Sequence, residues 1–293
     1  MTHPRGRALS LLLLAALAGG ATGCAAFGRY FGAQDPFGPR AACALAADAG
    51  TEEIVAHLNA NAARVRSWRA TNATIRARGS PLKVNAQIAV EAPRNFRLVV
   101  IPPIGGPEVD LGSNEDRFWF WTRRDAEQAI YLACHDAQPS SDARFAIPFQ
   151  PDWVMEALGV VEFDAAAIEF DQPEGSRMIR LAQRRTTPEG QRVTKVTMVD
   201  RCHGLVREHA LYDARGQLIA RAQLSGHVRD RASQAVLPSA IDFEWPRAQM
   251  AMTISLGAIE VNPRAFSSRT FTVPHYTGYR VQWLSDAPED DLD

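Results

Sequence analysis

The chain holds four cysteines and seven histidines, the residues best suited to covalent, proton-transfer or metal chemistry. Cys134-His135-Asp136 sets a thiol beside an imidazole and a carboxylate, the groups of a nucleophile, its base and an orienting acid. Neighbours in an extended strand point to opposite faces, so Cys134 and His135 cannot form the thiol-imidazole hydrogen bond this chemistry needs. Cys202-His203 with His209 or His227 is a partial metal set. It lacks the second close-spaced pair of a zinc centre, and a surface or core role is the expectation. The sequence has no nucleophile elbow, P-loop, dinucleotide fingerprint, Cys-x-x-Cys or His-Glu-x-x-His. No enzyme, catalytic residue, cofactor or metal is expected.

Cys24 invites another kind of chemistry. Arg5 and Arg7 precede an apolar run from Ala8 to Ala18, too short to span a bilayer and suited to a cleavable export signal over residues 1–23. The small residues Ala21, Thr22 and Gly23 before Cys24 resemble a bacterial lipobox, with Ala21 where Leu is usual. That resemblance implies a diacylglyceryl group on the Cys24 thiol. Two or more acyl chains would fasten the protein to a membrane. Ala25, in place of the Asp that retains many such proteins in the inner membrane, favours the outer membrane facing the periplasm. Cys43, Cys134 and Cys202 remain, and an oxidising compartment allows one disulfide among three pairings. Cys134 with Cys202 is the favoured pair because both sit at apparent strand ends, and three unpaired thiols are the alternative.

Composition narrows the class. A formal charge of -1, with acidic and basic residues interspersed, leaves no footprint for nucleic acid. The 293 residues suffice for one domain with a full core. Pro and Gly recur between short apolar runs, the spacing of many strands.

The elements follow from hydrophobic period. Residues 24–50 are rich in Ala, Gly and Pro without sustained period and read as a lipidated tether. Thr51 is placed to cap a helix with Glu52 and Glu53 in its first turn, and Ile54, Val55, Leu58, Ala62, Val65 and Trp68 form one stripe. A meander follows. Val84, Ala86, Ile88 and Val90 alternate in a first strand, Phe96 to Ile101 make a second, and Val109 to Asn114 lead through polar turn residues to Phe118-Trp119-Phe120-Trp121. In that last strand both faces are aromatic, so both must be covered, by helices or by an apolar ligand. After a strand at Ala129 to Ala133, Pro151 begins a second helix that Gly159 ends. Strands then run through Ile168 to Phe170, Met178 to Ala182, Arg192 to Val199, Leu205 to Tyr212, Gln217 to Val228, Ala240 to Trp245 and Met250 to Leu256. Residues 285–293 form an acidic tail expected to be disordered.

This order of helix, polar loop, strand-Pro-x-x-Phe-Arg-Leu, Pro/Gly loop and Asn114 to Trp121 resembles the LolA/LolB superfamily of bacterial lipoprotein carriers. The Gly204 to Gly216 hairpin and the Pro238 to Trp245 strand resemble its second half. The resemblance implies a mostly β fold: an incomplete antiparallel barrel over residues 51–284, with helices covering a concave face that takes acyl chains of lipids or lipoproteins. Phe96, Leu98, Phe118, Trp119, Phe120, Trp121, Trp153, Met155, Met250 and Met252 are then wall candidates, though a solid core uses the same residue types. Ile104, in the loop Pro102-Pro103-Ile104-Gly105-Gly106, is the candidate for a membrane-facing tip. Ala92 stands where the soluble carrier has the Arg that fastens its lid. The expected function is lipid or lipoprotein trafficking at the cell envelope by a membrane-anchored lipoprotein. The alternative is a scaffold lipoprotein that binds a protein partner.

Overall fold

The computed structural model describes residues 43–135, 151–160, 162–171, 176–187 and 190–284; Cys24, the export segment and the acidic tail lie outside them. The chain divides into Met1–Cys43 and Ala44–Asp293. The first unit is described at Cys43 alone, which is disulfide-bonded. In the second, Leu45 and Ala49 are buried against Ile54, Leu58, Ile179, Leu181 and Val199. Both lie in the stretch read as tether, and both find apolar partners.

Helix α1 (Thr51–Ala62) starts on Gly50, whose extended backbone makes it the cap, so Thr51 is the first helical residue and not the expected cap. The acidic first turn is retained and favours the positive helix end. The helix stops at Ala62, so Val65 and Trp68, expected on its stripe, lie beyond it, Trp68 in a strand. That strand is β1 (Ser67–Ala77), where a bulge between Ala70 and Ala73 breaks the alternation of buried residues.

From β1 the chain steps outward through β2 (Val84–Glu91), β3 (Asn95–Ile101), β4 (Val109–Ser113), β5 (Arg117–Thr122) and β6 (Ala129–Cys134). After α2 (Pro151–Ala157) and a 3-10 turn (Ala165–Ala167) it resumes at the opposite edge. It returns through β7 (Glu169–Asp171), β8 (Met178–Thr186), β9 (Arg192–Asp200), β10 (Leu205–Asp213), β11 (Leu218–Ser225), β14 (Ala240–Trp245) and β15 (Met250–Ser255). The two meanders join where β15 pairs with β1. The expected long strand from Gln217 to Val228 is broken at Gly226, whose φ of 61° is left-handed; β12 (Val228–Arg229) pairs with β13 (Val236–Leu237) in a separate ribbon.

The sequence reading ended its strands at Leu256, but β16 (Glu260–Val261) pairs with β1, and β17 (Arg280–Trp283) adds to β6 in parallel. The result is a fifteen-stranded curved sheet whose edges, β17 and β7, do not pair with each other. It is the mostly β, incomplete barrel that the resemblance implies.

Candidate functional site

Strand register assigns every side chain to one of two faces. Phe120 faces Leu111, Leu111 faces Leu98, Leu98 faces Ile88 and Ile88 faces Ala70, so these share a surface. It continues across the junction through Ile75, Ile254, Ile241, Leu224 and Ala222 to His209, Thr197 and Leu181. This inner face carries α2. Trp153 packs edge-on against Phe243 and Trp245, with ring centroids at 5.8 and 6.1 Å. Residues 153–158 are all buried, as in a helix enclosed on every side. Trp68 Nε1 donates to the Leu158 carbonyl at 3.2 Å, and Gly159, at φ 80°, turns the chain away, so the C-terminal end of α2 is pinned.

The expected wall residues separate into two groups. Phe96, Leu98, Trp153 and Met155 are buried in the large inner cluster, with Met250 and Met252 half-buried against it. Phe118 and Phe120 share that face and pack partly buried on Ala129, Tyr131, Ala133 and Leu284. Trp119 and Trp121 do not belong with them. They point to the outer face, where Val273, Tyr276, Tyr279 and Trp283 cover them. Trp121 stacks on Tyr276 with centroids at 3.6 Å. Gly112, expected in a turn, lies within β4 opposite Trp119; a Cβ there would sit 2.0 Å from the indole. No helix among the described residues covers this side. A C-terminal strap does.

That strap is fastened by a buried carboxylate. Asp110, 0% exposed, accepts from Arg97 at 3.1 and 2.7 Å, from Trp119 Nε1 at 3.1 Å and from the Tyr276 hydroxyl at 2.7 Å. Burial, then the hydrogen bond to Asp110, raises the pKa of Tyr276, which keeps its proton and remains a donor. Arg97 also donates to the carbonyls of Arg269 and Thr270.

The inner face has its own buried charges, which the sequence reading did not single out. Glu156 on α2 places Oε2 2.7 Å from Lys195 Nζ and Oε1 2.8 Å from an Arg185 guanidinium nitrogen. The Lys195 side chain is 6% exposed and that of Arg185 42%. Burial opposes ionisation of Glu156, but Lys195 and Arg185 outweigh it and hold its pKa below the usual carboxylate value. On the same surface His209 Nδ1 lies 3.1 Å from Thr197 Oγ1. Burial, reinforced by Lys195, drops the His209 pKa to about 3, so its imidazole is neutral. The Phe163 ring sits 5.2 Å from Lys195 Nζ. Its backbone is clamped by Asn59 of α1, which donates to the Phe163 carbonyl and accepts from its N–H, both at 2.8 Å. Asn61 clamps Val236 in the same way. Strand β9 carries Arg192, Lys195 and Asp200, and such charges read as solvated; only Glu156, distant in sequence, reveals Lys195 as internal.

The remaining expectations fall as follows. Ile104 is 90% exposed at the tip of its loop. Cys202 is disulfide-bonded, as is Cys43, and Cys134 takes no part, so the expected Cys134–Cys202 pair does not form. The reason is distance along the sheet. Cys134 ends β6 in the outer part of one meander, whereas Cys202 follows β9 in the other, with the whole β5-to-β10 span between. Ala44 donates its backbone N–H to the Cys202 carbonyl at 3.0 Å. His135 Nε2 lies 2.8 Å from the Asn114 carbonyl and 3.2 Å from Ser113 Oγ, a local turn contact, and Asp136 lies outside the described residues. His203 pairs with Asp200, and His227 lies between Arg207 and the Val206 carbonyl. Among the described residues no group of three His, Cys, Asp or Glu is placed to hold a metal, and no helix is long and apolar enough to cross a membrane.

No protein-family model matches the chain, and no curated protein matches it by sequence. Solved structures similar to it include a Vibrio parahaemolyticus domain described as an outer membrane lipoprotein-sorting protein, at TM-score 0.49 and 10% identity, over 75% of this chain and 97% of that one. A DUF1329 family protein from Desulfovibrio piger has TM-score 0.46 and 12% identity, over 75% and 97%. A LolA superfamily protein from Nitrosomonas europaea has TM-score 0.46 and 10% identity, over 74% and 96%. What the chain itself shows is two meanders joined back to back in one open sheet, with a helix seated on its inner face.

Proposed function

We propose that this is an exported, membrane-anchored lipoprotein that holds the acyl chain of a lipid or of an acylated protein against the inner face of its sheet. Its role is lipid or lipoprotein trafficking at the cell envelope, with Cys24 as the lipid anchor and the outer membrane, facing the periplasm, as its place. The observation that carries the reading is the half-buried apolar margin of the inner face: Ile75, Val100, Leu111, Met250 and Met252 border the filled core without being sealed by it. Removing such surface from water drives binding by roughly 25 cal/mol per Å². Phe96, Leu98, Phe118, Phe120, Trp153 and Met155 complete the wall, and the exposed Ile104 tip is the element that meets the bilayer.

The second reading, a scaffold lipoprotein that binds a protein partner, is favoured by α2 itself, because Trp153 and Met155 already fill part of the inner face. Lipid extraction and native mass spectrometry of the chain carrying Cys24→Ser separate the two. Co-purified acyl species support the carrier; a clean apoprotein that also ignores fluorescent fatty acids overturns it in favour of the scaffold. In the carrier, Ile104→Asp leaves stability within about 0.5 kcal/mol and weakens sedimentation with lipid vesicles.

A further inference from the structure

The inner face ends, under α2, in a charged site that a hydrocarbon chain has no use for. Two cations converge there on one carboxylate, and each takes one of its oxygens. Among the groups in contact at this point, Glu156 contributes one negative charge and Lys195 and Arg185 two positive ones, with His209 and Thr197 beside them uncharged. The site therefore keeps a surplus cation when Glu156 is in place. Lys195 is sunk at the bottom while Arg185 reaches solvent, so an anion arriving from water meets Arg185 first and Lys195 last. Apolar wall adjoins it directly: Leu211 pairs with Lys195 across the strands, and Val193 and Leu211 belong to the cluster that holds Trp153.

An ion pair of this kind is a poor source of stability, because removing both charges from water offsets most of their attraction. It is well suited to recognition, where a carboxylate is met by matched donors in a site already shielded from water. Glu156 is also the one charged residue on an otherwise apolar stretch of α2, Trp153-Val154-Met155-Glu156-Ala157-Leu158.

We infer that Lys195 and Arg185 form a head-group site for the carboxylate of an acyl ligand, and that Glu156 fills it as an internal stand-in until the ligand's own acid group takes its place. This rests on the acyl-binding reading above and specifies the ligand class: a chain ending in a single carboxylate, with its tail along the inner face. Exchange of one carboxylate for another leaves the charge of the site unchanged, so the buried cations are never left bare.

The test compares a fluorescent palmitate analogue with its methyl ester, by titration into the full chain carrying Cys24→Ser. Acid binding about ten-fold tighter than ester is expected, the scale of one charge-assisted contact. Glu156→Gln should tighten the acid several-fold and leave the ester unchanged, since the competitor is gone. Lys195→Met should erase the difference, and Lys195→Arg should keep it. Equal affinity for acid and ester, or an acid affinity that Glu156→Gln does not raise, overturns the head-group site while leaving the acyl-binding reading intact. Failure of both probes to bind overturns that reading and the inference with it. Tighter binding of a lysophosphatidate analogue than of palmitate also overturns the carboxylate assignment. The wild-type ratio and Glu156→Gln decide the matter even where Lys195→Met does not fold.

Discussion

The two faces of this sheet are both covered, and the contrast lies in how. On the outer face, Asp110 carries one negative charge against the single cation of Arg97, and receives further hydrogen bonds from Trp119 and Tyr276. The strap over it is itself part of the sheet, through β17 on β6. On the inner face, a seven-residue helix carries one carboxylate to two cations and is tied down at its C-terminal end. Among the described residues, buried indole N–H groups without an acceptor occur on both faces, Trp121 on the outer and Trp153 on the inner, so an unsatisfied indole does not separate them. Charge balance and backbone continuity do. A cover hydrogen-bonded into the sheet, over a balanced ion pair, is a permanent part of the fold; a short helix over surplus positive charge is a cover with something left to bind.

The comparison breaks most sharply at Asp110. Asp110→Ala strands Arg97 beneath the strap and removes the acceptor of Trp119 and Tyr276. It should cost about 3–5 kcal/mol, the scale of a broken buried pair, as measured by urea unfolding. A loss under 1 kcal/mol would mean that the strap is held by its aromatic stacking alone. On the inner face Lys195→Met should cost less, about 2–3 kcal/mol, because Arg185 still neutralises Glu156. The double variant Lys195→Met with Glu156→Met should return close to wild-type stability, since well-packed apolar residues replace such pairs at little cost. If the double variant is as damaged as the single one, the pair is structural and the two faces are alike.

Smallest per unit of pH is the effect of His209. His209 has a pKa of about 3 in the folded protein against 6.5 ordinarily, so on acidification the unfolded chain takes up the proton first. The stability contributed by the neutral imidazole is whole above pH 6.5 and is lost as pH falls toward 3, by up to about 1.4 kcal/mol per unit. His209→Gln should flatten that part of the stability profile. An unchanged slope would show that His209 is protonated within the fold, which would place a third positive charge beside Lys195.

Periodicity made much of the fold legible. The meander from β2 to β6 and the strands of the second half follow from alternation and turn residues, because each of those strands is half-buried over most of its length. β1 escaped notice where its bulge at Ala70 to Ala73 spoils the period, and so did the strap, whose aromatic residues cover an existing surface instead of alternating. For the site, sequence supplied the right residue types and in part the wrong faces. Trp119 and Trp121 have the chemistry of a ligand wall, yet their side of β5 is closed by residues from 273 to 283. Glu156, Lys195 and Arg185 gave no local signal, since a pair of opposite charges is significant only once both are buried together.

By itself the sequence determined a strand-rich body with two helices and two aromatic faces on β5, because each of these is written in neighbouring residues. Only the tertiary structure decided which face is sealed, which cysteines are bonded and that an internal carboxylate sits on two cations. Those facts depend on residues far apart in the chain meeting across a curved sheet, and no local pattern records such a meeting.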